Sequence, residues 1–226
     1  WSENHQILFA SAEYLAGQRW PDALFTNDGK TGAAHRAMAR ARILTWLEQR
    51  WLYGFTEWYS TVYYVEDIAP LSNLIEFAED DEIVTKATII MDLLLHDLAT
   101  QSYRGTFIST SGRLYQSQKF GGAGNSMKSV IEHIWGTGRW GYQHPLRKGM
   151  DLNFIFLDGY TVPDVIKAIG EDESEVIIKA SNGLNVQELA GEGLYGMQDP
   201  QIMIQWAMEA FTNPEVIANS LHYIAR

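Results

Sequence analysis

Cysteine is absent from the 226 residues, which excludes disulfide staples, thiol nucleophiles and Cys-ligated zinc. Positive charge is scarce as well. Lys and Arg number 17 against 28 Asp and Glu, giving a net charge of −11, and the basic residues form no block. Nucleic acid is therefore not an expected partner, because phosphate binding rests on clustered cations. No apolar run approaches the roughly 20 residues needed to cross a bilayer, so no membrane insertion is expected. Also missing are an H-E-x-x-H zinc pair, a G-x-S-x-G elbow and a calcium loop of alternating carboxylates. Gly122-Ala123-Gly124-Asn125-Ser126-Met127-Lys128-Ser129 imitates a phosphate loop, but Met127 takes the place of the required glycine and no apolar strand precedes it. Glu3 and His5 have no third metal ligand at useful spacing. Neither a metal nor a cofactor is expected.

What the chain does have is 46% apolar residues with 20% charged, the balance of a globular protein able to bury a core. Aromatics make up 12%, with 8 Trp and 11 Tyr. Those rings serve either as bulky helix packing or as the walls of a cleft that stacks on sugars. The chain opens on Trp1 rather than Met, so we expect a piece of a longer polypeptide. An extracellular or periplasmic location is the matching expectation.

Helical periodicity dominates. A first helix is expected from the opening residues, capped by Ser2 or Asn4, with Ile7, Leu8, Ala12 and Leu15 apolar and Gly17 as its end. A second runs from about Ala33 to Tyr53 and stops at Gly54. A third starts at Thr56 and reaches about Ala78, kinked or divided at Pro70. The acidic turn Glu79-Asp80-Asp81-Glu82 opens a fourth, whose stripe of Ile83, Ala87, Ile90, Met91, Leu94 and Leu98 is the clearest 3.6-residue period present. Short helices are expected near Ser126–Trp135, Pro163–Gly170, Pro200–Phe211 and Pro214–Ile224. Glu175–Ala180 reads as a strand, half of a hairpin turning at Ser181-Asn182-Gly183. The expected fold is all-α, built of antiparallel helical hairpins with a minor β-hairpin and long Gly-rich loops. It reads as one helical domain over 1–226: hairpins to 105, a loop-rich excursion over 106–160, then short helices and the hairpin over 161–226.

Two clusters suggest chemistry. Glu3, Asn4 and His5 crowd a helix start, where unpaired N–H groups and partial positive charge favour an anionic ligand. In Gly54–Tyr64, helical spacing puts Glu57, Ser60 and Tyr64 on one face and Trp58 on another, so the segment is either a polar pocket wall or ordinary packing. Arg113 stands in an irregular stretch, ready to bind a carboxylate or to bridge helix ends. His96 and Asp92, four apart, are expected to pair structurally, and His35, His133, His144 and His222 lack patterned partners.

With Glu3-Asn4-His5 on one helix start and Glu57-Trp58-Tyr59-Ser60 on a later one, residues 1–105 resemble the helical toroid of the chondroitin AC and alginate lyase-like superfamily, which includes the heparinase II/III-like enzymes. The resemblance implies an (α/α) toroid and β-elimination at a uronic acid of an acidic polysaccharide or oligosaccharide. Asn4 with Arg113 would neutralise the substrate carboxylate. His5 or a tyrosine would take the adjacent proton, and Tyr64, or else Tyr59, would protonate the departing oxygen. Glu3, Glu57, Trp58 and Ser60 would line the subsite. A glycoside hydrolase using Glu3 and Glu57, or a non-catalytic glycan- or protein-binding helical module, are the alternatives.

Overall fold

The computed structural model describes residues 2–103, 105–119, 125–136, 149–181 and 183–225. Trp1, the Gly122–Gly124 part of the phosphate-loop mimic, His144 and the Asn182 turn lie outside the described residues. In chain order the helices are α1 (Glu3–Arg19), α2 (Gly32–Tyr53), α3 (Tyr64–Phe77), α4 (Asp81–Gln101), α5 (Gln116–Lys119), α6 (Lys128–Trp135), α7 (Asp151–Ile155), α8 (Asp164–Glu171), α9 (Asp199–Ala207) and α10 (Pro214–Ile224). Two short strands, β1 (Ser102–Tyr103) and β2 (Thr106–Phe107), pair antiparallel with Ser102 opposite Phe107. The protein is predominantly all-α. None of its described helices is long and apolar enough to cross a membrane. The chain divides into two compact units, Trp1–Thr56 with Ser181–Arg226, and Glu57–Ala180.

In the first unit, contacts between α1 and α2 run in reverse order. Gly17 meets Gly32, Glu13 meets His35 and Arg42, and the Trp46 indole donates to the Glu3 carbonyl. The two helices are therefore an antiparallel hairpin, filled by Ile7, Tyr14, Ile43, Trp46 and Leu47. Gly17 does not end α1, which continues to Arg19. Its role is spatial: a Cβ there would lie 2.3 Å from the Gly32 carbonyl oxygen, so only glycine permits this approach. Thr31 caps α2 by accepting from the Ala34 N–H, and Gly54, at φ 74°, ends it. Gln6 and Gln49 donate to the carbonyls of Met203 and Pro200, which ties α9 to both helices.

In the second unit α3 begins at Tyr64, eight residues after the expected Thr56. Residues 57–63 are held in turns: Tyr59 sits at φ 46°, and the Ser60 hydroxyl oxygen accepts from the N–H groups of Val62 and Tyr63. Glu57, Ser60 and Tyr64 therefore do not share a helical face. Pro70 is accommodated inside one continuous helix. The three-residue turn after Phe77 reverses the chain, and Asp80 caps α4 by accepting from the Glu82 and Ile83 N–H groups. All six residues of the expected α4 stripe are buried. Glu175–Ala180 is not a strand. Among the described residues no strand lies beside it to complete a ladder, and Ile177 is left 88% exposed.

Candidate functional site

The opening turn of α1 is a local network. Ser2 Oγ donates to Asn4 Oδ1 at 2.5 Å, and the His5 backbone N–H donates to the same oxygen at 2.9 Å. His5 Nδ1 lies 2.7 Å from Ser2 Oγ and 3.0 Å from Asn4 Oδ1. An amide oxygen only accepts, so Nδ1 carries the imidazole proton and Nε2 is left as the basic nitrogen. Asn4 is buried, whereas His5 is exposed with its ring 5.9 Å from that of Phe9. Glu3 is fully buried: it pairs with Arg50 and accepts from the Thr56 N–H and hydroxyl at 2.7 and 2.6 Å. That carboxylate acts as a strut.

The other predicted site residues belong to the second unit, in two groups. Tyr59 and Tyr64 are buried phenols. The Tyr59 N–H donates to the Tyr64 hydroxyl, which donates to Asp97 at 3.3 Å, and the Tyr64 ring stacks on Phe107. Burial, with the Asp97 charge added, pushes the Tyr59 phenol above its ordinary value. Burial also raises Asp97 to about 7, against the smaller opposing pull of the Tyr64 hydrogen bond.

The second group forms around Arg113. Its Nη1 donates to Glu57 Oε1 at 2.5 Å, and its guanidinium sits 4.0 Å from the centre of the Tyr63 ring. The Tyr63 and Tyr115 hydroxyls are 2.5 Å apart. The loop carrying Arg113 is laced to the 57–63 turn. Ser60 Oγ donates to the Arg113 carbonyl, Gly112 N–H to the Trp58 carbonyl and Ser111 Oγ to the Tyr59 carbonyl. A Cβ on Gly112 would come within 3.1 Å of Trp58 Cβ, which explains the small residue at that crossing. Ser60 and Trp58 thus position the site through the backbone. Glu57 is buried, Arg113 keeps 32% of its side chain exposed, and Tyr115 is 58% exposed.

Burial first, then the Tyr115 hydrogen bond, raise Tyr63 to about 12, although Arg113 pulls the other way. At neutral pH Tyr63 keeps its proton, and either hydroxyl can donate in the shared bond. Tyr63 and Tyr115 were not singled out by helical spacing. The nearest sequence signal is Ser111-Gly112-Arg113-Leu114-Tyr115, an Arg and a Tyr two apart in an irregular stretch.

Two histidine expectations change. Asp92 accepts from the Tyr160 hydroxyl at 2.5 Å rather than pairing with His96, which is exposed. His35, which lacks a patterned partner in sequence, is buried with Nδ1 2.6 Å from Glu13 and Nε2 3.0 Å from Asp28. The Glu13 hydrogen bond, assisted by Asp28, raises its pKa against the cost of burial. Asn4, His5 and Glu3 are residues of the first unit; Glu57, Trp58, Tyr59, Ser60, Tyr64 and Arg113 are residues of the second. No family model, curated protein or solved structure matches the chain.

Proposed function

We propose that this chain is a carbohydrate-active protein that cleaves uronic-acid glycans by β-elimination, with Arg113 and Tyr115 at the reacting centre. The observation that carries the reading is the exposed residue Tyr115, hydrogen-bonded through its hydroxyl to the buried Tyr63, over whose ring the partly exposed Arg113 guanidinium lies. Tyr115, acting as the base, takes the proton from the carbon next to the substrate carboxylate. That electron pair forms the new C=C bond as the glycosidic C–O bond breaks, and the departing oxygen collects the proton from Tyr115. Arg113, steadied by Glu57, stabilises the charge that develops on the carboxylate. Tyr59 and Tyr64, both buried, support the loop through the Tyr59 carbonyl, which accepts from Ser111.

Hydrolysis fits less well. Glu57 brings a carboxylate oxygen within 4.8 Å of one on Asp67, but these residues are only 2% and 0% exposed, too enclosed to flank a polymer. The two helical hairpins are the kind of element from which an (α/α) toroid is assembled, and a polymeric substrate implies an extracellular or periplasmic working place. The test is incubation of the full-length protein with a panel of uronic-acid polysaccharides, followed by the ultraviolet absorbance of unsaturated ends. Tyr115→Phe should lower turnover by about 10²–10⁴-fold, the usual worth of a positioned acid–base group. Arg113→Lys should cut it too while leaving the melting curve nearly unchanged. Absence of unsaturated ends from every polymer ends the lyase reading, and binding without turnover makes the chain a glycan-binding module.

A further inference from the structure

The first unit contains a cleft of about 710 Å³, inside the range of about 300–1,000 Å³ typical of small-molecule sites. One wall is Phe25 stacked on His35, with ring centres 4.6 Å apart and planes 20° from parallel. Another is Trp206 edge-on to Tyr223, 5.5 Å apart at 88°. The second pair is held rigidly: the Trp206 indole donates to Ser220 Oγ at 2.8 Å and the Tyr223 hydroxyl to Asp199 at 3.0 Å. Phe9, which also lines the cleft, is 51% exposed.

The rim decides the ligand. Two of its three carboxylates are matched with cations, and the third, Asp199, accepts from the Tyr223 hydroxyl. Glu13 accepts from Arg42 at 3.0 Å and from His35; Asp28 accepts from Lys30 at 2.8 Å and from His35. A strongly charged ligand would have to displace one of these partners before gaining its own, so the cleft selects against both signs. A purely apolar ligand would strip water from the same ion pairs and return no hydrogen bond. A ligand whose hydroxyls both donate and accept can sit on an ion pair without breaking it, and a ring with an apolar C–H face stacks on flat aromatic walls. That combination describes a sugar without a charge.

We infer that this cleft is a binding site for a neutral mono- or disaccharide, held between the Phe25 and Trp206 walls, with its hydroxyls on the Glu13–Arg42 and Asp28–Lys30 pairs. The inference concerns residues of the first unit alone and does not depend on the elimination chemistry argued for Arg113 and Tyr115.

The experiment is calorimetric titration of the full chain with maltose, cellobiose, lactose and N,N′-diacetylchitobiose, alongside glucuronate, glucosamine and decanoate, backed by quenching of Trp fluorescence. At least one neutral disaccharide should bind in preference to both charged sugars and to decanoate. Phe9→Ala, a change at a half-exposed ring that should leave the fold intact, should weaken that sugar by about threefold to tenfold, the worth of one stacking ring. Trp206→Phe, which keeps an aromatic wall but loses the bond to Ser220, should weaken it as well. Equal or stronger binding of a charged sugar or of decanoate overturns the inference. So does silence from all four disaccharides, or sugar binding that both variants leave unchanged.

Discussion

Glu3 and Arg50 form an ion pair whose two side chains are both wholly buried in the first unit. The carboxylate has two further donors in Thr56, and the guanidinium lies 5.3 Å from the Trp46 ring. Arg50→Met keeps most of the carbon stem and removes the charge, leaving the Glu3 carboxylate buried without its guanidinium partner. Breaking one side of such a pair costs about 3–5 kcal/mol, because the surviving charge has lost its counterion without regaining water. Glu3→Gln should cost a similar amount by stranding Arg50. The double variant Glu3→Gln/Arg50→Met removes both charges of the pair, and the glutamine oxygen can still accept from Thr56, so it should fall short of the wild type by only about 1–2 kcal/mol. The cycle is measured by urea unfolding at neutral pH, read through Trp fluorescence, with unchanged slopes confirming that stability and not compactness has moved. A loss under about 1 kcal/mol for Arg50→Met, the range of an exposed pair, refutes the reasoning, as does simple additivity in the double variant.

Gly17→Ala places a methyl 2.3 Å from the Gly32 carbonyl oxygen, between two backbones that cannot both yield, and should cost about 1–3 kcal/mol or more by overpacking, seen as a lower thermal midpoint. His35 is raised above its ordinary 6.5, chiefly by Glu13, so its contribution is complete below that value and fades as pH rises through the folded-state pKa. Urea midpoints of the wild type should therefore drop between pH 6 and pH 9 by more than those of His35→Asn; parallel curves count against the dyad. Asp28 acts at the other end. Its bonds to Lys30 lower it to about 2, so its contribution is present above about 4 and disappears as pH falls toward 2, a loss that Asp28→Asn should not show. Asp97 has the opposite sign: burial raises it to about 7, so the native state favours its protonated form and loses stability as pH climbs from about 4 to 7. Asp97→Asn should remove that slope and stabilise the protein above pH 7.

Sequence alone determined the features that depend on neighbours three or four residues apart. The buried stripe of α4 follows from its period. The Gly54 stop needs only the absence of a side chain at the adjoining turn. Tertiary structure decided the rest. The residues before Tyr64 satisfy helical spacing, yet the loop holding Arg113 takes their carbonyls as hydrogen-bond acceptors and keeps them in turns. Gly17 looks like a helix stop along the chain and proves to be a contact point with α2. The same holds for the candidate sites: Arg113 finds Glu57 across 56 residues and His35 finds Glu13 across 22. Local periodicity carries no record of which face of one element will meet which face of another, because that choice is made by packing the whole core.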